Sequence, residues 1–157
     1  MKATIAKATL ICGTLDILYA STMAIASSGS AINVLHSVAS GPFGASVKSW
    51  GWAGGILGLG VHFTIMLVMV SFFVVILKYI RSLSSMKTVL LGVIYGVLLY
   101  IVMYWIVLSI RWPNVFPQTD PTLIIKALIP HIFLVGIPLA FIAKRSKIQQ
   151  LKEATSE

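Results

Sequence analysis

Residues 17–47, 49–77, 88–110 and 127–143 contain no Asp, Glu, Lys or Arg. A bilayer span needs about 20 mostly apolar residues, rising 1.5 Å each along a helix. The pattern predicts an all-α integral membrane protein, with four transmembrane helices in a bundle at about 4–28, 52–77, 88–110 and 123–143. Between the first and second, Ile32, Leu35 and Val38 recur at helical spacing within 31–40, and Gly41-Pro42 closes the stretch. This reads as a short interfacial helix lying at the membrane surface or dipping into it. Pro113, Pro117 and Pro121 exclude a regular helix from 111–122, which is expected to be a short outer loop carrying a solvated Asp120. A polar cytoplasmic tail, 144–157, expected to be helical at first and then frayed, follows the fourth segment.

The first segment shares features with a signal peptide: Lys2 and Lys7, an apolar run, then Ala24-Ile25-Ala26. Asp16 and Tyr19 interrupt that run, and it exceeds a signal core of about 7–15 residues. A retained transmembrane helix is expected. All 157 residues then form one membrane domain.

Composition sharpens the class. The chain is 58% hydrophobic and 10% charged, with a mean hydropathy of +0.96, whereas soluble domains carry about 25% charged residues. The formal net charge of +8 could suggest nucleic acid, but the basic residues gather at the ends of apolar segments, where they mark topology. Placing both termini in the cytoplasm puts nine there: Lys2, Lys7, Lys78, Arg81, Lys87, Lys144, Arg145, Lys147 and Lys152. Three, namely Lys48, Arg111 and Lys126, remain outside. Trp50, Trp52, Trp105 and Trp112 fall near the outer ends of the second and third segments, where indole rings favour the interface. The expected partners are the lipid bilayer and other integral membrane proteins or further copies of the chain, and not nucleic acid.

Candidate chemistry is sparse. Cys12 is the single cysteine, so an internal disulfide or cysteine metal cluster is excluded. No G-x-S-x-G, H-E-x-x-H, phosphate-binding glycine loop or paired carboxylates occur, so no catalytic residue, enzymatic activity or cofactor is expected. Small residues do form stripes. Gly51/Gly55, Gly54/Gly58 and Gly92/Gly96 are GxxxG pairs suited to close helix packing. Gly54 and Gly58 lead at four-residue steps to His62, and Gly92 and Gly96 lead to Tyr100 and Tyr104. Cys12, Asp16, Ala20 and Ala24 make a similar stripe on the first segment.

At 1.5 Å per residue, Asp16 lies roughly 12 Å into its span, His62 roughly 15 Å and His131 roughly 12 Å. Asp16, His62 and His131 are therefore expected to converge at mid-depth, with the Tyr100 hydroxyl as a further donor. A carboxylate there costs at least ~2.5 kcal/mol and is expected to find a partner, here His62 or His131, or to become neutral. Pro130 and Pro138 free the carbonyls of Lys126 and Leu134 beside this cluster. It reads as a packing contact, as a proton or ion relay, or, through His62 and His131, as a metal or haem site, although no metal-ligand spacing or haem motif is present. His36 is expected to be an interfacial residue.

Gly13-Thr14-Leu15-Asp16 with Tyr19-Ala20, Ala39-Ser40-Gly41, His62-Phe63, and His131 with Gly136-Ile137-Pro138 resemble the YagU-like family of uncharacterised small bacterial inner-membrane proteins. The resemblance runs from about residue 8 to 145 through short motifs. It implies a four-helix protein of the bacterial inner (cytoplasmic) membrane and brings no activity with it. The functional expectation is an accessory or scaffold subunit of a larger membrane complex, since four short spans leave little room for a cavity and exposed glycine stripes suit helix docking. The alternative is a small proton or metal-ion transporter.

Overall fold

The computed structural model describes residues 1–154, so the end of the expected polar tail, 155–157, lies outside the described residues. Helix α1 spans Lys2–Ala26 and α2 spans Ala31–Phe43. A 3₁₀ stretch, Ala45–Trp50, leads into α3, Trp52–Tyr79. After one short turn of helix, α4 at Arg81–Ser85, comes α5, Thr88–Arg111. The last helix, α6, runs through Pro121–Ile129, Pro130–Gly136 and Ile137–Ala154 without a break. Four of these helices, α1, α3, α5 and α6, are long and apolar enough to cross a membrane.

Boundaries follow local chemistry. Asp120, expected to be merely solvated, caps α6: its carboxylate accepts from Thr122 N at 2.7 Å, and Pro121 begins the helix where a missing N–H is harmless. The fourth long helix therefore begins at Pro121 and continues through Ala154, so the start of the tail is helical as expected. Ser30 caps α2 through Asn33 N. Gly41-Pro42 does not end α2 as expected; Pro42 sits in its last turn, and the chain reverses at Gly44, whose φ of 83° is open to glycine.

Packing runs in the order α3, α1, α6, α5, each helix against the next, while α3 and α5 hardly touch. The α5–α6 seam is a close backbone approach. A Cβ on Gly136 would strike the Gly92 carbonyl oxygen, and one on Gly96 would lie 2.5 Å from that of His131. Gly92 and Gly96 thus bring two backbones together, as close packing of spans requires. Gly54, Gly55 and Gly58 receive a different neighbour. A Cβ at Gly58 would collide with the Leu35 carbonyl, so the glycine face of α3 seats α2 rather than another span. His36 is part of that seat. It is 7% exposed, and its Nε2 donates to Gly51 O at 2.7 Å, so it is a buried clamp and not a bystander at the interface.

At the end of the bundle carrying the termini, the core closes around Cys12, Val70, Phe73, Leu77, Leu91, Tyr95, Leu139 and Ala140. There α3 and α5 are bridged: the Phe73 and Tyr95 rings lie 4.5 Å apart, and Tyr95 Oη donates to Met69 O at 2.7 Å. Lys147 Nζ donates to Leu77 O and Ser84 Oγ near the end of α3, and Lys144 Nζ donates to Met86 O. These amines satisfy carbonyls around the hairpin between α3 and α5.

Candidate binding cavity

Beyond the Phe73–Tyr95 bridge, α3 and α5 part, and a cavity of about 830 Å³ opens between them. Its walls are Val61, Ile65 and Met69 on α3, and Leu99, Met103 and Val107 on α5. Its back is made by α1 and α6 and its roof by α2, through Ser37, Val38, Ser40, Gly41 and Pro42. Helix α2 roofs the gap: seated on α3, it is tied to α5 by Arg111, whose Nε donates to Gly41 O at 2.7 Å and Nη2 to Ser40 O at 3.2 Å.

Four polar side chains expected in or near the bundle interior line this cavity: Asp16, His62, Tyr104 and His131. Tyr100 does not reach it. That ring is 5% exposed and stacked on Tyr104 at 5.0 Å, and its buried hydroxyl has no hydrogen-bond partner.

Neither histidine pairs with Asp16 as expected. His62 Nε2 donates to Gly13 O at 2.9 Å, a carbonyl reachable because glycine brings α1 against α3; a Cβ there would lie 2.7 Å from the Phe63 ring. His131 Nδ1 donates to Ala127 O at 2.7 Å within its own helix. A carbonyl only accepts, so each ring nitrogen so engaged carries the proton. Asp16 is half-buried and has neither hydrogen bond nor ion pair among the described residues. The carbonyl of Lys126 freed by Pro130 is taken by Tyr19 Oη at 3.1 Å, which re-satisfies the break from the neighbouring span.

The proline leaves a second mark. Pro130–Gly136 and, facing it, Ile101–Val107 are wide π-helical turns, a feature frequent at functional sites. They bring Tyr104 5.7 Å from His131 between ring centroids and 5.6 Å from Phe116. Phe116 and Trp112, from the loop after α5, close the end of the cavity far from the termini, alongside Lys48 and Arg111. The sequence pattern assigned Lys48, Arg111 and Trp112 only topological or interfacial roles and did not single out Phe116. The three prolines around Phe116 were the available signal, since they fold the loop back instead of extending the helix.

Among the described residues no group of three or more His, Cys, Asp or Glu is placed to hold a metal ion, so His62 and His131 do not build a metal centre with Asp16. Scans of protein-family models, curated proteins and solved structures find no match to this chain.

Proposed function

We propose that this multi-pass protein is a membrane-embedded binding protein that takes a lipophilic small molecule from the bilayer through the seam between α3 and α5. The observation that carries this reading is the cavity: about 830 Å³, apolar on most of its wall, with a few convergent polar groups. Pockets for drug-sized molecules occupy ~300–1,000 Å³ and have this makeup. A gap between two spans faces hydrocarbon, so an apolar molecule enters sideways without first crossing water.

The accessory-subunit expectation drew on free glycine stripes and on a bundle too small for a cavity. Gly54, Gly58, Gly92 and Gly96 are instead covered within the chain, and the cavity is present. A role beside other membrane proteins would have to use lipid-facing side chains such as Ile56, Phe133 and Phe141. The metal-ion form of the transporter alternative lacks a set of convergent ligands among the described residues.

Binding is tested by titrating the purified protein with a neutral, environment-sensitive apolar dye. Saturable binding that disappears in Leu99→Trp, whose added bulk fills the cavity, is expected. Identical, non-saturating partition in both proteins would overturn the reading.

The excess of Lys and Arg on one side, nine against three, and the resemblance to the YagU-like proteins support a bacterial inner-membrane location with both termini cytoplasmic. In a Cys12→Ser background, Gln118→Cys should react with an impermeant maleimide in intact cells. Reaction only after permeabilisation would reverse the orientation.

A further inference from the structure

We infer that the cavity takes a lipophilic organic cation, with Asp16 as its counter-ion and the Tyr104, Phe116 and Trp112 rings as its aromatic walls; this rests on the binding role proposed above. Asp16 is the only acidic side chain on the cavity wall, and no protein donor or cation engages it among the described residues. An ionisable group at membrane depth is costly unless it meets a partner, and a bound cation supplies one. The Tyr104, Phe116 and Trp112 rings line the same space, one side of the Trp112 ring carrying the Arg111 guanidinium 5.3 Å from its centroid. Aromatic faces attract cations, most strongly when desolvated.

The hydrogen-bonding pattern narrows the cation. Most of the cavity wall is apolar, and the carbonyls of Gly13 and Ala127 are already taken by His62 and His131. A primary ammonium needs several acceptors at once. A quaternary ammonium or phosphonium centre needs none: it asks for a counter-charge, π faces and apolar walls, which this cavity provides.

Two cations at the outer end oppose this sign of charge. Arg111 is held against the carbonyls of Ser40 and Gly41 at the negative end of α2, which offsets its charge locally. Lys48 is exposed and screened by solvent. Asp16 is half-buried in a cavity whose wall is mostly apolar, where its charge acts through a lower dielectric than at the exposed Lys48.

Tetraphenylphosphonium and tetraphenylborate, alike in shape and opposite in charge, separate these effects. Each would be used to displace the neutral dye from the purified protein. The cation is expected to compete and the anion not to. Asp16→Asn should weaken the cation at least ~10-fold and Tyr104→Leu about 3-fold, while Asp16→Glu retains binding; size exclusion and thermal melting monitor folding. Preference for the borate, or phosphonium affinity unchanged in Asp16→Asn and Tyr104→Leu, overturns the cation assignment while displaceable dye binding leaves the cavity's role standing. Absence of saturable dye binding in the unsubstituted protein overturns both. If Asp16→Asn fails to fold, Tyr104→Leu and Trp112→Leu carry the test, and unchanged cation affinity in both overturns the assignment.

Discussion

The two ends of this bundle use the same four helices and reach opposite results. At the end bearing the termini, Phe73, Tyr95, Leu91 and Leu139 fill the space between spans. At the other end the same α3 and α5 stand apart around a cavity. Their composition does not differ enough to explain this, since both ends are rich in Val, Leu, Ile and Met. The difference lies in what is inserted. The termini end is bridged by one tilted aromatic pair and one hydroxyl-to-carbonyl bond. The loop end has no such bridge and is roofed by α2, seated on three glycines of α3 and tied to α5 by one arginine. A small helix seated on one long helix and tied to another thus roofs a cavity that the closed end does not have.

The closed end breaks most readily at its closest backbone approach. Gly136→Ala would push a methyl group into the Gly92 carbonyl and to 2.9 Å from Gly96 N. Backbone cannot give way as a side chain can, so a loss of about 3 kcal/mol, at the upper end of overpacking costs, is expected. Thermal unfolding in detergent should show a large fall in Tm; an unchanged Tm would mean that α5 and α6 do not meet as described.

The open end is attacked through its roof. Gly58→Ala would set a methyl group against the Leu35 carbonyl and should cost about 2 kcal/mol. Because α2 roofs the cavity, dye binding should fall along with stability, and proteolysis of the 27–51 connection should accelerate. Retained dye binding with α2 loosened would show that the roof is dispensable.

The bridge between the two ends gives a smaller, sharper result. Tyr95→Phe keeps the ring against Phe73 and removes the hydroxyl that donates to Met69 O. A cost of about 1 kcal/mol is expected, read as a modest drop in Tm with dye affinity close to the original. The last substitution is a control on α3 itself. Gly60 is exposed, and a Cβ there meets nothing within 4 Å. Gly60→Ala should change stability by no more than about 1 kcal/mol, in the stabilising direction that helix propensity predicts. The contrast between Gly58 and Gly60, two residues apart on one helix, isolates packing from propensity.

Both histidines show where sequence reasoning loses its grip. Spacing and depth put His62 and His131 near Asp16 along the membrane normal, and all three do line one cavity. Their partners were not legible, because they are carbonyls: Gly13 O from a neighbouring helix and Ala127 O within a widened turn. Every residue offers a carbonyl, so no residue type announces it. His36 was misjudged for the same reason, its partner being Gly51 O.

The sequence alone determined the four long apolar helices, because the hydrocarbon thickness imposes a length and a polarity that any span must meet. It also marked the glycines as sites of close approach, since only the missing side chain allows two backbones to touch. Which backbone arrives at each glycine was decided by the tertiary structure: α2 at Gly58, and α6 at Gly92 and Gly96. A stripe of small residues specifies that something packs closely without specifying what, and the cavity exists because α2, rather than α5, occupies the stripe on α3.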